Sequence, residues 1–454
     1  MDSSAEARGD GSMSDNGGRR FIIEPGGALN GTFRVPGDKS ISHRAVMLGA
    51  IADGVTEVSG FLEGDDAMAT LAAMRALGVA IEGPDQGALR IHGVGRHGLR
   101  QPSAPLDLGN SGTSMRLFSG LLAGQGFASE LVGDRSLMGR PMRRVTGPLG
   151  QMGARIHTEP DGTAPLRIEP VAALRGIDYA LPVASAQVKS ALLLAGLYAR
   201  GETRVHEPAV TRDHTERMLT AFGADLSVAD GAVRVTGNRP LRAGPVVVPG
   251  DISSAAFFLV GASIATEGSV RVANVGLNPT RTGVIDILRR MGARIHVDSE
   301  HTDAGEPVGT LSVEPAALHG IDVPADLVPL AIDEFPAIFI AAACAAGETT
   351  LRGAEELRVK ESDRIAVMAE GLSTLGIEVE PRPDGIRIVG GPLRGGAVHA
   401  RGDHRIAMAF AMAGLRAESP ITIEGCAEVD TSFPGFVALA RDAGLGIRSE
   451  AVQP

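Results

Sequence analysis

The chain has 454 residues, of which 44% are hydrophobic, and a formal net charge of −11. That length can bury a large core and suggests two or three domains. The acidic balance, with 3% aromatic residues and no tryptophan, argues against a nucleic-acid surface built on basic patches or on stacking.

In chain order, residues 1–20 are polar and Gly/Ser-rich and hold no apolar run of a signal peptide, so they are expected to form a disordered tail, with Met13 as an alternative start. A pattern then occurs six times. Six Ala/Gly-rich apolar segments each open with a polar cluster: Asp38-Lys39-Ser40, Asn110-Ser111-Gly112, Ser185-Ala186-Gln187, Asp251-Ile252-Ser253, Asp333-Glu334 and Asp403-His404-Arg405. Each is followed by a second helical pattern ending at a glycine: Gly78, Gly153, Gly223, Gly292, Gly376 and Gly444. Self-similarity at a period of roughly 70 to 85 residues means one structural unit repeated.

Within a unit the first helix is apolar on every side, as from Val188 to Gly201, and is therefore expected to be buried. Alternating strands follow, such as Thr203-Arg204-Val205-His206 and Ser269-Val270-Arg271-Val272. The second helix is amphipathic. Between Asp66 and Gly78 the residues Ala67, Leu71, Met74 and Leu77 share a face, with Asp65 or Asp66 as a cap. Asp213-x-x-Glu216 resembles a capping box. Further strands are expected at Leu89–His92, Leu166–Glu169, Val233–Thr236, Leu311–Glu314 and Ile386–Val389, and the sixth unit stops before its last pair because the chain ends. The unit is therefore βαβαββ, an α/β architecture, with three units in each of two domains. Pro36-Gly37-Asp38 and Pro249-Gly250-Asp251 read as matching hinge strands. They divide residues 21–38 plus 251–454 from residues 39–250.

Helix N-termini carry free N–H groups and favour anions. Several here also carry cations or hydroxyls: Lys39, Ser40 and Arg44 in the first unit, Arg140 in the second, Ser185, Gln187, Lys189 and Arg212 in the third, Lys360 and Arg364 in the fifth, and Arg405 in the sixth. A lone cation at a helix start is usually solvated, and Lys189 on an apolar helix reads as a snorkelling side chain. Placement at equivalent corners is what suggests a local positive cleft for a ligand set with more than one anionic group. Asp333, Glu361 and Lys39 are the acid–base candidates, and Asp38 and Asp403 read as caps. His43, His214 and His404 have no metal-ligand spacing, no nucleotide fingerprint is present, and Cys344 and Cys426 read as small buried hydrophobes of a reducing cytoplasm. No apolar run reaches the roughly 20 residues of a membrane helix without a charge or break.

The strings Gly37-Asp38-Lys39-Ser40-Ile41-Ser42-His43-Arg44, Gly109-Asn110-Ser111-Gly112-Thr113, Arg140-Pro141-Met142, Ser185-Ala186-Gln187-Val188-Lys189, Arg358-Val359-Lys360-Glu361-Ser362-Asp363-Arg364 and Asp403-His404-Arg405 closely resemble the 5-enolpyruvylshikimate-3-phosphate synthases of the enolpyruvyl transferase family. The resemblance runs in order from about residue 22 to the C-terminus. It implies a two-domain inside-out α/β barrel of six βαβαββ repeats. It also implies a reaction between phosphoenolpyruvate and shikimate 3-phosphate on the way to chorismate and aromatic amino acids, without metal or organic cofactor, in a monomer, with glyphosate as an inhibitor.

By the same resemblance, Lys39 touches phosphoenolpyruvate and transfers a proton, while Ser40 and Arg44 hold the shikimate carboxylate. Asn110, Gly112 and Arg140 line the phosphoenolpyruvate pocket with Gln187, Arg364 and Arg405. Ser185, Ala186 and Arg212 lie at the shikimate phosphate. Asp333 takes the 5-hydroxyl proton, Lys360 contacts the same ring, and Glu361 is the partner acid.

There are departures. Ala186, Glu356 and Thr431 stand where many members carry Ser, Asn and Lys. Arg212-x-His214-x-x-Glu216 and Asn278-Pro279-Thr280-Arg281 resemble a second class of the family with some glyphosate-tolerant members, whereas Gly112 is the small residue of sensitive ones. A sister enzyme acting on UDP-N-acetylglucosamine typically has Lys-Asn where this chain has Lys39-Ser40. A non-catalytic anion-binding protein would not require Lys39, Asp333 and Glu361 together. The fourth unit has the weakest cluster and reads as mainly structural.

Overall fold

The computed structural model describes residues 18–237, 239–303 and 305–452. Most of the expected tail lies outside them, but Gly18–Arg20 do not belong to a tail: they open the strand Gly18–Gly27. Arg20 pairs with Glu450 at 2.8 Å and Arg19 with Asp430 at 2.5 Å, which holds that end of the strand in its sheet.

Six helices are buried along nearly their whole length: Lys39–Ile51, Gly112–Ala123, Ala186–Gly196, Ile252–Ile264, Phe335–Ala343 and His404–Ala413. Small residues let them meet. A Cβ on Gly120 would lie 2.0 Å from the Ala191 carbonyl oxygen, so the Gly112–Ala123 and Ala186–Gly196 helices touch through backbone. The third helix ends at Gly196 rather than Gly201, because Ala199–Arg200 turn outward as a short strand beside Leu174–Arg175. The glycines that close the second helices have φ of +80° to +112°, a conformation that only glycine adopts without strain.

The sheets share one strand pattern. In the first, Val246–Val247 runs parallel to Asp53–Ser59, which pairs antiparallel with Ala88–Val94, and that with Ala80–Asp85. The same order, one parallel then two antiparallel pairs, recurs with Leu29–Phe33, Gly268–Gly276, Glu306–Glu314 and Arg294–Asp303. The sixth unit is not left short. Leu445–Val452 supplies its edge strand, and Gly18–Gly27 from the other end of the chain takes the inner position between Ile421–Glu424 and Leu445–Val452.

Two expected caps differ. Gly64, with no side chain, caps the helix Asp65–Ala76, which leaves Asp66 free to pair with Lys39. Asp213 makes no capping bond, because its carboxylate accepts from Arg217 and Asn278, and Glu216 turns inward to Lys189.

Buried apolar side chains form two clusters. One runs from Ile41 to Val248; the other joins Phe21–Val35 to Ile252–Ile447. The chain passes between them twice, and the two crossings pair: Gly37 bridges Gly250 antiparallel, the Asp38 N–H donates to the Pro249 carbonyl at 2.8 Å, and the Asp251 N–H to that of Pro36 at 2.9 Å.

Lys189 does not snorkel. It is 1% exposed, with its ammonium 2.7 Å from Glu207 and 2.6 Å from Glu216. Removing one partner of a buried ionic cluster leaves uncompensated charge, so Lys189→Met is expected to lower unfolding free energy by about 3–5 kcal/mol. Urea denaturation at neutral pH checks this; an unchanged midpoint would contradict it.

Candidate active site

Between the two clusters lies a cavity of about 160 Å³ lined by nine cationic side chains against four carboxylates. This concentration of positive charge inside a chain of net charge −11 would focus small anions. A larger cavity of about 680 Å³ near Val210 and Val228 has a mostly apolar wall and lacks that cationic lining.

The helix starts deliver the charges. The Asp38 carboxylate caps the first helix by accepting from the Ile41 N–H at 2.9 Å, which aims Lys39 and Ser40 at the cavity. Lys39 Nζ lies 2.9 Å from Asp66 Oδ2. Ser185 caps the third helix, placing Gln187 on the wall, where it accepts from Arg116 at 2.7 Å and donates to Thr113 at 2.9 Å. Asp403 caps the sixth by accepting from the Arg405 N–H at 3.0 Å. Thus Asp38 and Asp403 act as caps as expected.

Asp333 sits where the two halves meet. It pairs with Arg212 from across the cavity, with Arg364 at 3.3 Å and with Lys360 at 3.6 Å. It is not a cap: the cap position belongs to Glu334. Burial pushes its carboxyl up, but Arg212 first, then Lys360, Arg405 and Arg364, outweigh that and hold it well below the usual range. Glu361 is opposed by burial in the same way and depressed chiefly by Arg364, 2.6 Å away, with Arg140 and Lys39 adding to it. Arg364 also donates to Asp403 at 2.8 Å. His404 is driven well below its ordinary value by burial and by Lys39 and Arg405, so it is a neutral imidazole on the wall.

The cavity thus collects Lys39, Ser40, Arg140, Ser185, Gln187, Arg212, Asp333, Lys360, Glu361, Arg364 and Arg405. Asn110 stands just behind, accepting from Arg140 at 2.5 Å, and Gly112 and Ala186 are backbone of the helix starts. Arg44 is not on the wall. Its guanidinium is buried against Thr215 at 2.7 Å, Ser190 at 2.8 Å and the Ser40 carbonyl at 2.9 Å, and burial lowers it to about 10.

Three wall cations escaped sequence reasoning: Arg116, Arg144 and Arg281. A charge one turn into an apolar helix, four residues after Gly112, was the available signal for Arg116. Arg281 and Asp251 also bring the fourth unit, expected to be mainly structural, to the cavity wall. Arg144 pairs across the cavity with Glu356 at 3.4 Å.

A cationic cleft carrying a depressed carboxylate pair defines an enzyme that handles small anionic substrates. The family model for EPSP synthase (3-phosphoshikimate 1-carboxyvinyltransferase) matches residues 23–439, and the chain belongs to that family. It is 65% identical to 3-phosphoshikimate 1-carboxyvinyltransferase of Alkalilimnicola ehrlichii, over 94% of this chain and 96% of the relative. It is equally identical to that of Halorhodospira halophila, over 95% and 97%. The solved EPSP synthase of Acinetobacter baumannii superposes with a TM-score of 0.87 at 55% identity, over 95% of this chain and all of that one.

Proposed function

We propose that the chain transfers the enolpyruvyl group of phosphoenolpyruvate to the 5-hydroxyl of shikimate 3-phosphate and releases phosphate, a step of the shikimate pathway to chorismate. The observation that carries this reading is the single cavity where nine cations surround Asp333, Glu361 and Lys39.

The hydroxyl oxygen attacks C2 of phosphoenolpyruvate while C3 takes a proton, giving a tetrahedral ketal. C3 then loses a proton, the C–O bond to phosphate breaks, and the enol ether forms. Opposed acid–base groups in a closed, charged cleft suit this sequence. Asp333 accepts the hydroxyl proton, and Lys39 and Glu361 exchange protons at the methylene carbon. Ser40, Arg44 and Lys360 hold the shikimate ring, with Ser185, Arg212 and the backbone at Ala186 on its phosphate. Asn110, Gly112, Arg140, Gln187, Arg364 and Arg405 frame phosphoenolpyruvate. When the shikimate phosphate draws Arg212 away, Asp333 loses its leading cationic partner and its proton affinity rises toward that of a useful base.

The six similar buried helices and the two apolar clusters support an inside-out α/β barrel of six repeats, three in each of two domains meeting at the paired crossings. We place this enzyme in the cytoplasm as a monomer. Calorimetry tests the binding reading: shikimate 3-phosphate should bind alone and more tightly with glyphosate present, and absence of both signals would refute it.

Glyphosate is expected to compete with phosphoenolpyruvate in the micromolar range. A Cβ on Gly112 would lie 2.8 Å from an Arg116 nitrogen and 2.9 Å from one of Arg140. Both are ends of flexible side chains, so Gly112→Ala should fold while displacing two cations of the phosphoenolpyruvate frame. The inhibition constant for glyphosate should rise at least about tenfold, roughly the loss of one charged contact. An unchanged constant would remove Gly112 from the pocket.

A further inference from the structure

Arg281 lies between the strand Gly268–Gly276 and the helix Gly283–Arg290 and is 2% exposed. Four elements meet on its guanidinium. Nη1 donates to Asp38 Oδ2 at 3.0 Å, and Nη2 to Asp251 Oδ1 at 3.0 Å and Ser253 Oγ at 2.7 Å. Nη2 is also 3.8 Å from Glu334 Oε1, and Nη1 is 3.4 Å from His214 Nε2. Its partners are not arbitrary acids. Asp38 and Asp251 are the residues that follow the two paired crossings, and each caps a buried helix. Asp38 precedes Lys39 and Ser40; Glu334 follows Asp333.

We propose that Arg281 is a positioning residue for the reaction, locking the two chain crossings together with the helix starts that carry Lys39 and Asp333. The inference rests on the proposed function. Arg281 reaches the cavity wall, yet both of its terminal nitrogens are committed to protein acceptors, and Nε is buried. It therefore offers a ligand little, and acts through what it holds. A planar fork can satisfy two carboxylates and a hydroxyl at once; a lysine ammonium in the same space is a point charge that cannot. Displacing reactive groups by about 1 Å costs up to a hundredfold in rate.

The charges facing Arg281 are Asp38, Asp251, Glu334 with its neighbour Asp333, and His214, which is itself 2.9 Å from Glu306. Burial pushes Asp38 up, but Arg281 and His214 bring it down to about 2. Without the guanidinium, the carboxylates at the crossings take up protons at higher pH, so the acidic limb of kcat should move upward.

The test uses R281K and R281Q in the full chain, with phosphate release measured from pH 5 to 9. Both are expected to melt cooperatively. R281K should lose about ten- to hundredfold in kcat with KM for each substrate changed far less. R281Q should lose at least as much and shift the acidic limb up by about one pH unit. If R281Q fails to fold, the kcat–KM split of R281K decides alone. Wild-type kcat and pH limb in either folded variant, or collapse of both folds, overturns the inference. An inactive wild-type protein would instead overturn the proposed function.

Discussion

Asp333→Asn is expected to lower kcat by about 10²–10⁴-fold, the usual contribution of a positioned general base. The amide keeps the shape and can still accept from Arg212, Lys360 and Arg364, so the scaffold around it should persist. It cannot take a proton from an alcohol. Loss should therefore fall on kcat, with the KM for each substrate nearly unchanged. Asp333 is ionised at neutral pH because its folded value is depressed. Its stabilising contribution is full above the unfolded value of about 4 and is lost as pH falls through the folded value. Near neutrality the variant thus forfeits that contribution as well as catalysis, and a thermal melt beside the kinetics separates the two. A variant with wild-type kcat would remove Asp333 from proton transfer.

Lys39→Met should cost at least about a hundredfold, comparable to deleting one donor to a developing charge. Methionine retains the length of the stem but not the ammonium. Lys39 stands in the first turn of a helix whose cap, Asp38, remains intact, so the backbone geometry is preserved. The change leaves Asp66 without its 2.9 Å partner, at a site where both side chains keep some solvent contact, so stability should shift little. Full turnover in this variant would refute the assigned role; a large loss of kcat with an intact melting transition is the expected result.

Much of this organisation was legible because it is local. Asp38, Ser185 and Asp403 cap helices from positions fixed by sequence, and the closing glycines need a left-handed turn wherever the chain goes next. Burial all round was written into the composition of the first helices. What was not legible depends on partners far apart in sequence. Gly18–Gly27 completes a sheet with strands more than 390 residues away, which no local pattern announces. Arg281 holds Asp38 from a separation of 243 residues. Arg44 has the sequence position of a ligand contact, yet Ser190 and Thr215 enclose its guanidinium. Asp213 and Glu216 had the spacing of a capping box, but Arg217, Asn278 and Lys189 offered stronger, charge-assisted partners than backbone N–H groups.

The cavity itself joins residues from both apolar clusters, so its chemistry exists only once the two halves face each other. Phosphate release by the purified wild-type chain tests that most directly. The account predicts release that requires phosphoenolpyruvate and shikimate 3-phosphate together, one phosphate for each enolpyruvyl group transferred. No release from the folded protein with both present, or release supported by UDP-N-acetylglucosamine in place of shikimate 3-phosphate, would contradict it.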